Sequence, residues 1–135
     1  MEVLKMKNSY PILLTPEKTG FTVYIPDFDI NTQGRDLTEA IEMARDAIGL
    51  MGIDMEDDGK SLPTPREIDD VKAGKGEIVT LVDVDFGEYR RMNEMRTVKK
   101  NCTVPGWLCY AAEKADINFS QVLQEALKRE LKIYK

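Results

Sequence analysis

Three polar residues, Lys99, Asn101 and Thr103, alternate along the segment 97–104 and carry side chains that can contact base edges. Lys donates to guanine O6 and N7, Asn pairs with adenine N6 and N7, and Thr offers a hydroxyl and a methyl group. Successive side chains of a strand point to opposite faces, so a strand over 97–104 turns these three residues the same way. An ordinary edge strand with polar residues outward has the same spacing, and this alternative stays open on spacing alone.

A single strand at 97–104 needs a partner, because its backbone N–H and C=O groups would stay unpaired along both edges. A second copy of the chain is the simplest partner. Two copies paired antiparallel about a two-fold axis form a ribbon that fits the major groove of double-stranded DNA. The segment therefore predicts a homodimer, with Val98, Cys102 and Val104 on the inner face against the helices. Lys100 falls on this inner side as well.

Two amphipathic helices are predicted after this strand. Pro105 suits the first position of a helix, where its missing N–H removes no hydrogen bond. The first apolar stripe is Trp107, Leu108, Ala111, Ala112 and Ala115, and the second is Val122, Leu123, Ala126, Leu127 and Leu131. Asn118 and Gln121 have capping-box spacing before the second stripe. Free N–H groups at a helix start bind phosphate, so Asn118, Phe119 and Ser120 are predicted to contact the DNA backbone. A cap without a ligand is the alternative.

The first ninety residues predict three strands, a helix and a fourth strand. The strands are predicted at Tyr10–Thr15, Phe21–Ile25, Ile30–Gln33 and Ile78–Val84. The helix is predicted to begin after Asp36, with Glu39 completing a capping box, and to end at Gly52. Residues 54–60 indicate an acidic loop without EF-hand ligand spacing. A short helical turn is predicted within Glu67–Val71.

The charge of the chain is divided between its two parts. Residues 1–90 hold 10 Lys or Arg and 19 Asp or Glu, a balance of −9, whereas residues 91–135 hold 9 and 5, a balance of +4. A basic C-terminal part suits nucleic acid, and pairing two copies doubles its positive charge. An acidic N-terminal part suits a basic protein, although acidic surfaces are more often simply solubilising.

The segment 97–133 resembles the ribbon-helix-helix family of dimeric repressors in its strand, its Pro-opened helix and its Asn-capped helix. The first ninety residues are similar to the HicB antitoxin family. The segments that carry this second resemblance are Tyr10-Pro11, Gly20–Phe28, Thr32–Gly34, Asp36–Ala40, Leu62–Pro65 and Ile78–Val84. The two resemblances imply an α+β chain: a partial RNase H-like β-β-β-α-β unit at 1–90, a linker at 91–96, and a β-α-α ribbon-helix-helix domain at 97–135.

The HicB resemblance implies two linked activities. The N-terminal unit would bind and neutralise a HicA-type toxin, a basic mRNA-cleaving protein, and the C-terminal dimer would repress the operon that encodes both. Whether dimers pair further into tetramers stays open. We expect toxin contacts at Tyr24, Asp27, Phe28 and Asp29, because a Pro-bounded loop with aromatic and acidic side chains can anchor a basic partner. The alternative is a stand-alone regulator whose N-terminal unit senses a ligand or another protein.

Catalysis, metals and cofactors are not expected. The chain has no His, which removes the commonest general base and any Ser–His or Cys–His nucleophile. Its two Cys, at 102 and 109, match no zinc spacing. A two-metal cluster would have to draw on Asp27, Asp29, Glu39, Asp83 and Asp85, and these carboxylates form no recognisable motif. Residues 1–7 lack an apolar signal core and no run of eighteen apolar residues occurs, which predicts a cytoplasmic protein without a membrane span.

Overall fold

The computed structural model describes residues 7–133. The chain forms two compact units whose boundary falls between Met95 and Arg96. Residues 1–6, on which most of the expectation of no signal segment depends, lie outside the described residues, as do residues 134 and 135 at the end of the predicted C-terminal domain.

The first unit is built on a four-stranded antiparallel sheet. Its strands are β1 (Lys7–Glu17), β2 (Gly20–Ile25), β3 (Ile30–Gly34) and β4 (Ile78–Asp85), in the order β3-β2-β1-β4. All four predicted strands are confirmed, and β1 is longer than expected at both ends. The two-residue turn between Glu17 and Gly20 fixes the register, in which Leu13 lies opposite both Tyr24 and Val79.

Two prolines lie inside β1, which is a central strand. Glu17 and Gly20 close a two-residue hairpin, so the odd-numbered residues of β1 direct their backbone groups toward β2 and the even-numbered ones toward β4. The nitrogen of Pro11 therefore faces the β2 side of the strand, but at a position beyond the last residue of β2. Pro16 turns its nitrogen toward β4 just before the first β4 residue. Neither proline removes a hydrogen bond from a ladder.

Helix α1 (Leu37–Asp57) covers one face of this sheet. Asp36 caps it as predicted, accepting a hydrogen bond from Glu39 N at 2.8 Å. The Glu39 carboxylate bonds Arg35 instead of closing the capping box on Asp36. The helix and the strands bury a common core, which consists of Tyr10, Ile12, Leu14, Val23, Ile25, Ala40, Ala44, Ile48, Val82, Val84 and Phe86.

The prediction that α1 ends at Gly52 is wrong. The helix continues to Asp57, and Gly52 lies inside it at a place where the ring of Phe86 occupies the space that a Cβ would need. The predicted acidic loop is correspondingly shorter. Glu56 and Asp57 form ion pairs with Arg90, at 3.3 and 2.9 Å. A 3-10 turn at Ile68–Asp70 confirms the short helical turn that was predicted there.

Helix α2 (Phe86–Met92) follows β4 without a break and packs on α1. Asp85 caps it by accepting a hydrogen bond from Glu88 N at 3.1 Å. The ring of Tyr89 fills the space beside Gly49 of α1, where a Cβ would not fit. This helix extends two residues into the predicted linker at 91–96, so that part of the linker belongs to the first unit.

The second unit contains two helices, α3 (Gly106–Lys114) and α4 (Phe119–Glu130). Both were predicted. Pro105 is the N-cap of α3 and does not lie in its first turn. Asp116 takes a left-handed conformation, with φ of 56°, where the chain turns between the helices. Asn118 then caps α4 by accepting a hydrogen bond from Gln121 N at 3.1 Å.

Candidate nucleic-acid and partner interfaces

The second unit has no core of its own. Between residues 96 and 133 the single chain buries no residue fully, and both predicted apolar stripes face solvent. Trp107 is 72% exposed and Val122 is 52% exposed. A unit of this size cannot stay folded without burying apolar surface, so these side chains need a partner.

Lys99, Asn101 and Thr103 lie in an irregular segment before α3, and all three are exposed. Within the described chain, residues 97–104 pair with no strand. A strand that forms its ladder with a second copy has no hydrogen-bond partner in one chain, so the strand and the orientation of these three residues remain predictions.

Asn118, Phe119 and Ser120 lie at the start of α4, where Asn118 is the N-cap. The Asn118 side chain is occupied as a cap, because its oxygen accepts from Gln121 N. The N–H of Val122 bonds the Asn118 carbonyl. Helix geometry leaves the N–H groups of Phe119 and Ser120 without an intrahelical acceptor. These two N–H groups can therefore donate hydrogen bonds to a phosphate oxygen.

In the first unit, Asp27 lies in the turn between β2 and β3 and its side chain is only 4% exposed. Its Oδ1 accepts a hydrogen bond from Arg66 Nε at 3.0 Å, and both carboxylate oxygens lie 3.3 Å from the Arg66 backbone nitrogen. Phe28 packs edge-on against Tyr10, with ring centroids 4.9 Å apart. Two of the four expected toxin contacts, Asp27 and Phe28, thus make contacts inside the unit.

Tyr24 and Asp29, the other two, form a hydrogen bond to each other. The Tyr24 hydroxyl donates to Asp29 Oδ1 at 2.8 Å, and this bond raises the pKa of Tyr24. Asp29 is exposed and takes a left-handed conformation, with φ of 52°. The structure therefore separates the four residues into an inner pair and an outer pair that is accessible to a partner.

Sequence reasoning missed two basic residues that organise this unit. Arg66 holds the turn through Asp27, as described above. Arg45 of α1 donates from Nε to the Asp83 carbonyl at 2.9 Å and from Nη2 to its carboxylate at 3.1 Å. This guanidinium lowers the pKa of Asp83. A pair 38 residues apart leaves no local signal, because each member alone looks like an ordinary surface charge.

The five carboxylates from which a two-metal cluster could be built do not come together. Asp27 bonds Arg66, Asp29 bonds Tyr24, Glu39 bonds Arg35, Asp83 bonds Arg45, and Asp85 caps α2. Among residues 7–133, no group of three Asp, Glu, Cys or His side chains is arranged to hold a metal ion. The expectation of no catalysis stays a prediction.

No helix within residues 7–133 combines the length and the apolar character that crossing a bilayer requires. The two units together define an α+β protein with a sheet-and-helix unit and a helical unit whose apolar surface needs a partner. The family model described as the HicB-like antitoxin of bacterial toxin-antitoxin systems matches residues 10–126. Because this match covers most of the chain, the protein belongs to the HicB-like antitoxin family.

Solved structures resemble this fold. A toxin-antitoxin complex from Streptococcus pneumoniae matches with a TM-score of 0.59 and 24% identity, over 93% of this chain and 99% of that chain. The antitoxin HicB3 matches with a TM-score of 0.50 and 28% identity, over 91% of this chain and 97% of that chain. A HicA3 and HicB3 toxin-antitoxin complex matches with a TM-score of 0.50 and 24% identity, over 58% of this chain and 99% of that chain. The matches at 24% identity show the fold alone. No curated protein matches significantly.

Proposed function

We propose that this protein neutralises a cognate HicA-type mRNA-cleaving toxin and, as a homodimer, represses transcription of its own operon. The toxin binds the partial RNase H-like unit predicted at 1–90, the part of the predicted linker 91–96 that follows α2 connects the units, and residues 97–135 form a ribbon-helix-helix domain. The observation that carries the proposal is the exposed apolar surface of residues 96–133, which a second chain must cover. Both the toxin and the operator are cytoplasmic partners.

Toxin binding is supported by the family and by charge. Two of the similar structures are toxin-antitoxin complexes, and one of them contains HicA3 and HicB3. A toxin that cleaves RNA has to attract phosphate and therefore carries Lys and Arg on its binding surface. The first ninety residues have a net charge of −9, which suits such a surface.

DNA binding is assigned to the ribbon that two copies of 97–104 would form. Lys99, Asn101 and Thr103 contact base edges in the major groove. Asn118, Phe119 and Ser120 hold the phosphate backbone, through the free N–H groups at the start of α4.

The DNA assignment is tested by the double variant Lys99→Ala/Asn101→Ala in a gel shift with the operator region. We expect operator binding to be lost, while the mass of the dimer and neutralisation of the co-expressed toxin are unchanged. Lys100→Ala is the matched control, because it removes the same charge from the inner side of the same strand. Retained operator affinity in the double variant would contradict the assignment.

Two further measurements bear on the proposal. Operator affinity should fall with salt, with a slope of about −0.9 per phosphate contact in a plot of log K against log salt. A flat profile would count against groove binding. If the wild-type chain binds its operator but does not neutralise the product of the neighbouring toxin gene, the protein is a stand-alone regulator.

A further inference from the structure

The sheet of the first unit has one face that α1 does not cover. Side chains alternate between faces along a strand, and Tyr10, Ile12 and Leu14 of β1 lie on the α1 side. A sheet with one solvated face normally has polar residues at the alternate positions. Here the middle positions are apolar, Pro11 and Leu13 in β1 and Val79 and Leu81 in β4, whereas Ser9, Thr15 and Asp83 on either side of them are polar. Strands that are apolar on both faces are typical of sheets that are buried on both faces.

We define the open sheet face as Leu13, Thr15, Thr22, Tyr24, Val79 and Leu81. The register places Leu13 between Tyr24 and Val79, and Thr15 beside Thr22. Leu81 is 51% exposed, whereas Pro11, which lies opposite it in β1, is fully buried and does not belong to the exposed part of this face. The face is thus a half-exposed apolar strip that runs from β4 across β1 to the ring of Tyr24.

Three carboxylates border this strip, and each is held by a hydroxyl of the face itself. Thr15 donates to Glu77 at 2.6 Å, Tyr24 to Asp29 at 2.8 Å, and Thr22 to Glu17 at 3.3 Å. A hydroxyl orients a carboxylate without neutralising it, whereas Arg66 and Arg45 neutralise Asp27 and Asp83. The border of the open sheet face therefore keeps three oriented negative charges.

We propose that the open sheet face is the surface that binds the toxin, with Leu81, Leu13 and Tyr24 as the apolar centre and Glu17, Asp29 and Glu77 as the acidic rim. This inference rests on the proposed function. A basic, RNA-binding surface fits such a face, because its cations meet the rim while its apolar atoms cover the strip. The buried centre of a protein interface is depleted of charged residues and enriched in aromatic side chains, whereas its rim is polar.

The test is Leu81→Lys in the full chain, with the purified product of the neighbouring toxin gene as the probe. Leu81 is half exposed, so the change does not bury a charge in the free protein. We expect the dissociation constant to rise about tenfold or more, as for an anchor at an interface centre. Leu50→Lys is the matched control, because Leu50 is 44% exposed on α1 and lies outside the face. Operator binding should be unchanged in both variants.

Unchanged toxin affinity in Leu81→Lys would overturn the inference, as would a loss confined to Leu50→Lys. A change in the mass of the free protein, with toxin affinity intact, would overturn it as well, because a second copy would then be the occupant of the face. Failure of the wild-type chain to bind the probe would instead remove the toxin from the proposed function. Thermal unfolding of each variant shows whether a loss of binding reflects a loss of fold.

Discussion

Asp27 and Arg66 lie 39 residues apart and form an ion pair in which the Asp27 side chain is almost fully buried while the Arg66 side chain is 45% exposed. The pair ties the turn between β2 and β3 to the connection that leads from α1 to β4. The Leu62–Pro65 segment of that connection also accepts a hydrogen bond, from the Tyr10 hydroxyl to the Pro63 carbonyl at 2.9 Å. Asp27 is therefore better explained as a support of the turn than as a contact with a partner.

Removing the cation should destabilise the first unit. Arg66→Ala leaves the Asp27 carboxylate buried without its partner, and we expect the free energy of unfolding to fall by about 1–3 kcal/mol, as for an unsatisfied buried polar group. Urea unfolding of Arg66→Ala, Asp27→Ala and the double variant measures the coupling. If the two single effects simply add, the pair does not contribute to stability.

Gly52 should resist replacement although it lies inside a helix. Ala favours a helix interior by about 1 kcal/mol over Gly, but a Cβ at position 52 meets the ring of Phe86. We expect Gly52→Ala to be destabilising by about 1–3 kcal/mol, the range for overpacked cores. Chemical unfolding of Gly52→Ala/Phe86→Leu provides the control, because the smaller side chain should relieve the collision. A Gly52→Ala variant more stable than the wild type would show that the ring can move aside.

The Arg45–Asp83 pair should make the free energy of unfolding depend on pH in the acidic range. Arg45 holds the pKa of Asp83 below its usual 3.8. A depressed pKa in the folded state contributes stability that is complete above the unfolded value and is lost as the pH falls through the folded value. Arg45→Gln should therefore raise the pKa of Asp83 toward 3.8 and remove part of the acid destabilisation below about pH 4. NMR titration of the Asp83 carboxyl carbon measures the shift. Arg35→Gln, which alters the pair with Glu39, should leave the pKa of Asp83 unchanged.

The single Trp offers a direct measurement of partner binding by the second unit. Trp107 is largely exposed in one chain and lies in the stripe predicted to be buried in a dimer. We expect its fluorescence emission to move to shorter wavelength as protein concentration rises through the dissociation range, because burial removes water from the indole. Leu123→Asp, which places a charge in the other stripe, should keep the emission at long wavelength at the same concentrations. Emission that does not depend on concentration in either chain would argue against a dimer formed through α3.

The elements of this fold were predictable where local patterns decide them. Apolar or alternating runs between turn residues located the four strands, and Asp36 and Asn118 marked the starts of α1 and α4 by their side-chain caps. Gly52 misled the prediction, because a glycine can end a helix or make room for a ring, and only the position of Phe86 distinguishes the two. The roles of Arg45 and Arg66 depend on contacts between distant segments, which spacing does not encode.

The two prolines of β1 also act on the pairings that the sheet does not adopt. If β1 slid by two residues along β2 or along β4, the backbone nitrogen of one of these prolines could come to face the neighbouring strand. Proline has no N–H, so that strand would lose a hydrogen-bond donor. Pro11 limits such sliding along β2, and Pro16 limits it along β4. The two prolines of the central strand therefore disfavour shifted pairings with both neighbours, so the correct register is favoured by the sequence of β1 itself.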